Sequence, residues 1–192
     1  MYVKAVPNYF AAFQIKNAEI LNRLKIVQEV LVDNDIKAKD CLVKLSKSHL
    51  TLFVMHLDEV HCLHEAKNAL QAAAKLIRES DIKSLTLDFE GLQEIRKMVV
   101  NSFKEYGILS TDKSEHFTPH LTIAKAGKLQ KKFKFDPASY EEFVDMHFGE
   151  EVVTDLQLLK MKSENKDSYY DCVAEISVFS NASEFDGLLS SC

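Results

Sequence analysis

Two tetrapeptides carry side chains suited to acid–base chemistry on a phosphate: His49-Leu50-Thr51-Leu52 and His120-Leu121-Thr122-Ile123. Each reads His, aliphatic, Thr, aliphatic, inside a short apolar run that predicts a strand. In a strand, residues two apart share a face. His and Thr of each copy therefore point one way, and the two aliphatics back them from the other. An imidazole with an ordinary pKa of about 6.5 can take or give a proton near neutral pH. A threonine hydroxyl can donate to a phosphate oxygen. Two such strands face to face would offer two imidazoles and two hydroxyls to one small anion, a layout for general acid–base cleavage of a phosphate ester. A single H-x-T reads more readily as a half-buried histidine beside a β-branched strand residue. Its recurrence at equivalent places favours function for His49, Thr51, His120 and Thr122.

The elements that must hold these residues follow the same rhythm twice. Residues Asn8 to Ile15 (NYFAAFQI) predict a strand. Asn17 then caps a helix to about Asp33, with Ile20, Leu21, Leu24, Val27, Val30 and Leu31 at helical spacing. The strand His49–Met55 follows. A long helix from Asp58 to about Glu79 carries Leu63, Ala66, Leu70, Ala73 and Leu76-Ile77 on one side. Ser84–Phe89 alternates as a strand. A helix from about Leu92 to Tyr106 ends at Gly107, a residue suited to the left-handed turn after a helix. The second motif strand, Pro119–Lys125, comes next, then a Lys-rich loop to Lys134. Asp136-Pro137 opens a short helix to about Phe148. Val152–Lys162 and Tyr169–Phe179 predict a hairpin.

The two histidines are 71 residues apart, in an outline that repeats. The repeat predicts an α+β, bilobal, pseudo-twofold fold, each lobe giving a small antiparallel sheet. One domain over residues 1–179 and a polar, frayed tail over 180–192 are expected. A cleft between lobes is a natural pocket. Near it, Lys125 closes the second motif strand and could guide an anion. Phe10 on the first strand could stack on a base, as could Tyr9, with core packing the competing role for at least one of them.

The chain has 192 residues, a hydrophobic fraction of 46% and a net charge of −5. The hydrophobic fraction supports a substantial core. The acidic balance argues against sequence-independent binding to DNA or RNA along the whole surface. Cys41, Cys62, Cys172 and Cys192 show neither C-x-x-C pairing nor metal-ligand spacing, which predicts reduced thiols. His61 and His64, three apart on a predicted helix, lack acidic or Cys partners at matching positions and read as a solvated face rather than a metal site. Met1-Tyr2-Val3-Lys4 lacks an apolar leader segment, and no run approaches the roughly 20 apolar residues of a membrane span. Cytoplasm or nucleus follows by elimination.

With two H-x-T-hydrophobic motifs in a duplicated chain, the sequence resembles the two-histidine (2H) phosphoesterase superfamily. Several segments look like the phosphoesterase domain of the gamma-type A-kinase anchoring proteins: NYFAAFQIKNAEI, SHLTLFVM, FTPHLTIAK, YEEFVDMHFGEE and YYDCVAEISV. Together they span about residues 8–179. The resemblance implies a metal-free, cofactor-free nucleotide site between lobes. It implies cleavage of 2′,5′- or 2′,3′-cyclic phosphodiester bonds in RNA-like molecules, or at least nucleotide monophosphate binding. His49 and His120 match the two catalytic histidines, and Thr51 and Thr122 the two phosphate-binding hydroxyls.

Two departures accompany it. Leu87–Met98 (LDFEGLQEIRKM) is shorter than in relatives of this type, which carry a further strand between the equivalents of Phe89-Glu90-Gly91 and Leu92. The second half is thus expected to be one strand poorer, with an exposed edge. No amphipathic helix follows Phe179 to dock a kinase regulatory subunit, so kinase anchoring is not expected. The expected partner is a nucleotide or a short 2′,5′-linked or cyclic-phosphate RNA fragment, with neither membrane nor DNA. The competing expectations are a binding module that holds AMP or CMP without turnover, and a compromised fold that makes only protein contacts.

Overall fold

The computed structural model describes residues 5–58, 60–82, 91–112, 117–125, 133–162 and 168–179. Four antiparallel strands form one sheet in the order β2-β1-β3-β4. They are β1 (Tyr9–Gln14), β2 (His49–Met55), β3 (Asp155–Lys160) and β4 (Asp171–Ser177). The C-terminal hairpin thus packs against the N-terminal strand, and β1 is a central strand. It is buried on both faces, which explains why YFAAFQ reads as a continuous apolar run rather than an alternating one.

Two helices cover one face of this sheet: α2 (Val60–Glu79) and α3 (Leu92–Glu105). Ala66, Ala69, Leu70, Ala73, Ala74 and Ile77 of α2 are fully buried. So many alanines let the helix lie close against its neighbours. On α3, Leu92, Ile95, Val99 and Phe103 are fully buried at helical spacing, and Phe103 stacks on Phe53 of β2, with ring centroids 4.9 Å apart. Leu76 of α2, expected on the core side, is 43% exposed because Ile77 takes the inward position. Gly107 ends α3 with φ +76°.

The second lobe is built around α1 (Ala18–Asn34). Asn17 caps it, its side-chain oxygen accepting from the Glu19 and Ile20 N–H groups at 2.8 and 3.2 Å. Ile20, Leu24, Val27 and Leu31 form its buried stripe, packed against Leu42, Ile123, Phe133, Phe135 and Phe148. Two sheets were expected, but only the four-stranded one forms among the described residues. In the second lobe the backbone pairs through isolated bridges: Leu42 with Ala124, and Leu50 with Leu121. The Val43 N–H donates to the Ile123 carbonyl at 3.0 Å, and the Lys125 N–H to the Cys41 carbonyl at 2.7 Å. The buried Gln28 amide of α1 stitches these segments together, donating to the carbonyls of Val43 and Ile123 at 2.6 and 3.0 Å.

The expected helix from Asp136 is two short 3₁₀ turns, Pro137–Ser139 and Glu141–Phe143. The Asp136 cap forms, accepting from the Ala138 N–H. The expected strand Ser84–Phe89, most of the Lys-rich loop and the tail after Phe179 lie outside the described residues.

Candidate active site

The sheet face opposite α2 and α3 carries the first motif. In the β1–β2 register Gln14 lies opposite His49 and Ala12 opposite Thr51. Directly opposed residues share a face, so His49, Thr51, Ala12 and Gln14 stand together. Leu50 and Leu52 point into the core and are 1% and 2% exposed.

The second motif reaches this face through the antiparallel Leu50–Leu121 bridge. At that point of pairing, His49 lies across from Thr122 and Thr51 across from His120, all four on the side away from the two leucines. The charge on His120 is felt at His49, where it helps hold the imidazole below its ordinary pKa.

Both imidazoles are tethered in the same way. His49 Nδ1 bonds the Lys47 carbonyl at 2.7 Å, and His120 Nδ1 bonds the Thr118 carbonyl at 2.9 Å. A carbonyl only accepts, so Nδ1 carries the proton in each ring and Nε2 is the atom left for chemistry.

Their surroundings differ. His49 is half-buried, wedged between Phe10 and Tyr170 with ring centroids 5.0 and 5.2 Å away. Tyr170 meets Phe10 edge-on at 4.9 Å, and the Lys47 ammonium lies 4.9 Å from the Tyr170 ring centroid. Burial pushes the His49 pKa down. The bond to the Lys47 carbonyl opposes that shift, and His120 adds to it. His120 is exposed. Its segment is pinned a few residues earlier, where the Arg96 guanidinium of α3 lies 4.8 Å from the Phe117 ring centroid.

Phe10 is 3% exposed. It floors the His49 ring and has no free face on which a base could stack. Lys125 is exposed beyond the Ala124 bridge, with its backbone tied to Cys41. Behind the motifs, Leu50 and Leu121 line an apolar cavity of about 410 Å³ with Ile15, Ile20, Leu24 and Ile123. Among the described residues, no group of three or more His, Cys, Asp or Glu side chains is arranged to hold a metal ion, and no helix is long and apolar enough to cross a membrane.

Sequence reasoning missed Tyr170, Lys47 and a polar group on β3 and β4. Gln157, 3% exposed, donates to Glu175 and to Gln14, and accepts from the Tyr169 hydroxyl at 2.9 Å. The adjacent tyrosines of YYDCVAEI were the available signal, since paired aromatics before a strand can cover a sheet face.

The fold is that of the LigT-like 2H phosphoesterases. E. coli LigT in apo form superposes with a TM-score of 0.58 at 14% identity, covering 91% of this chain and 98% of that one. E. coli LigT complexed with 3′-AMP gives 0.54 at 13% identity, with 90% and 98% covered. TT0787 of Thermus thermophilus gives 0.51 at 15%, with 89% and 97% covered. Residues 7–93 and 85–178 match the family model of the AKAP7 2′5′ RNA ligase-like domain, and the chain belongs to that family. Human A-kinase anchor protein 7 isoform gamma is 32% identical over 200 residues, which take in 88% of this chain and 57% of that protein. The chain thus spans little more than half the length of this relative. The aligned stretch is longer than the 192 residues of the chain itself, so the relative carries positions that this chain lacks.

Proposed function

We propose that the chain is a metal-independent phosphodiesterase that cleaves 2′,5′- or 2′,3′-cyclic phosphodiester linkages of RNA-like nucleotides. One observation carries the reading: two imidazoles, each tethered through Nδ1 to a carbonyl two residues upstream, stand beside two threonines on paired segments. Burial keeps His49 neutral at pH 7, so its Nε2 lone pair takes a proton from the attacking water or ribose hydroxyl. As the new P–O bond forms, the bond to the departing ribose oxygen breaks. His120, entering protonated, gives that oxygen its proton from Nε2. Solvent then returns the proton from His49 and recharges His120. The hydroxyls of Thr51 and Thr122 donate to the non-bridging oxygens, where charge builds. Each proton transfer supplies about 10²–10⁴-fold in rate. The substrate is met in the cytoplasm or nucleus.

The test is hydrolysis of 2′,5′-linked oligoadenylate followed by chromatography, with and without EDTA. Turnover that survives chelation and disappears in His49→Ala and His120→Ala supports the reading. EDTA-sensitive turnover overturns it.

A second reading is favoured by the sparse pairing around His120, which rests on isolated bridges rather than a ladder. In it the site holds AMP or CMP without cleaving anything. Calorimetric binding that vanishes in both alanine variants, in a parent with no turnover, selects this reading.

A further inference from the structure

The sheet face that carries His49 holds a buried amide that the acid–base scheme does not use. Gln157 of β3 is 3% exposed, and both ends of its side chain are committed. Its Nε2 donates to the Glu175 carboxylate of β4 and, at 3.4 Å, to Oε1 of Gln14 on β1. Its Oε1 accepts from the Tyr169 hydroxyl at 2.9 Å.

The chain of bonds has a direction. An ionised carboxylate can only accept, so Glu175 requires the nitrogen end of Gln157. Tyr169 is a donor here, and burial pushes its pKa far above the ordinary value, so the phenol keeps its proton. Gln157 therefore presents N–H to Gln14, and Gln14 must answer with its oxygen. That bond engages the oxygen end of the Gln14 amide and leaves its NH₂ group, with two donors, uncommitted to Gln157. The strand on the other side of Gln14 is β2, where His49 is its directly paired neighbour, about 4.7–4.9 Å away in strand spacing. Gln14 is half-exposed, so a ligand can reach it.

We propose that Gln14 is a phosphate-binding residue of this site, donating from its amide to a non-bridging oxygen, and that Gln157, Glu175 and Tyr169 are positioning residues that fix which end of that amide faces the anion. This assignment rests on the two-histidine reading above. It adds a neutral donor from β1 to the hydroxyls of Thr51 and Thr122. It also gives the site a polar wall on the side away from the second lobe.

The experiment is titration calorimetry of the full chain with two probes, inorganic phosphate and 3′-AMP. A hydrogen bond to a charged group is worth roughly tenfold or more in affinity. Gln14→Ala is expected to weaken both probes by about tenfold. Gln14→Glu, which keeps the shape and adds a negative charge, should weaken both further. Gln157→Leu should weaken both by less than Gln14→Ala does, and should add nothing in the Gln14→Ala background. That non-additivity is a signature of positioning that general loosening would not produce. Thermal melting of each variant checks that the sheet persists. If Gln14→Ala proves unstable, Gln14→Glu carries the test. Unchanged affinity in the Gln14 variants, with binding abolished in His49→Ala, overturns this assignment and leaves the two-histidine site standing. A loss seen with 3′-AMP but not with phosphate also overturns it, because the contact would then lie on the nucleoside. A parent that binds neither probe overturns both readings.

Discussion

The two motif segments carry the same four-residue pattern and the same Nδ1 tether, yet they stand in opposite settings. His49 belongs to a seven-residue strand at one end of the four-stranded sheet, with aromatic rings on two sides. His120 is exposed and belongs to a segment held by isolated bridges, a Gln28 staple and an Arg96–Phe117 contact upstream. The lesson is that repetition of a motif fixes local side-chain geometry but not its environment. Burial lowers the pKa of one imidazole, and the other stands exposed to solvent.

The most damaging way to break the comparison is to remove either ring. His49→Ala and His120→Ala should each lower the rate of cleavage by about 10²–10⁴-fold. Only His49→Ala should also lower the melting temperature, because only His49 packs against Phe10 and Tyr170. Equal melting temperatures would show that the aromatic setting contributes no stability. A milder break removes the hydroxyls: Thr51→Val and Thr122→Val should each cost about 10² in turnover, with binding of ground-state nucleotide less affected. Tyr170→Ala sharpens the contrast instead. It exposes His49, so the imidazole pKa should rise toward its ordinary value. The acidic limb of the pH–rate profile should then move to higher pH, with turnover at pH 6 falling severalfold while the alkaline side stays in place.

The smallest effect is on stability. The His49 pKa is depressed in the folded chain, so on acidification the unfolded chain takes up that proton first. Its contribution is complete above the unfolded value of about 6.5 and is lost as pH falls through the folded value. Denaturant midpoints measured between pH 7 and pH 5 should therefore fall less steeply in His49→Gln than in the parent. An unchanged slope would mean that His49 titrates normally.

Much of this architecture was readable in the residues. The stripe Ile20, Leu24, Val27, Leu31 announced α1, Gly107 marked the end of α3, and the closing hairpin expected over Val152–Lys162 and Tyr169–Phe179 forms as β3 and β4. The second motif was expected as a strand over Pro119–Lys125, but the backbone there pairs only through isolated bridges. Pro119 lacks an N–H for a ladder, and strandhood depends on a neighbour that sequence cannot supply. The run after Asp136 shows the same limit, since a good cap opened only single 3₁₀ turns where no continuous apolar stripe followed to bury a longer helix. At the site, the histidines and threonines could be named because the pattern is contiguous. Tyr170, Gln14 and Gln157 could not, because their places arise from segments far apart in the chain meeting on one face. Phe10 was visible as an aromatic but not as the floor beneath an imidazole.

The Nδ1 tether has a consequence beyond this chain's chemistry. Each ring is locked by a carbonyl only two positions upstream, Lys47 for His49 and Thr118 for His120. The device is therefore self-contained: a few consecutive residues set their own tautomer, whatever body they are mounted on. The half that has only isolated bridges keeps its imidazole aligned without the scaffold its twin enjoys.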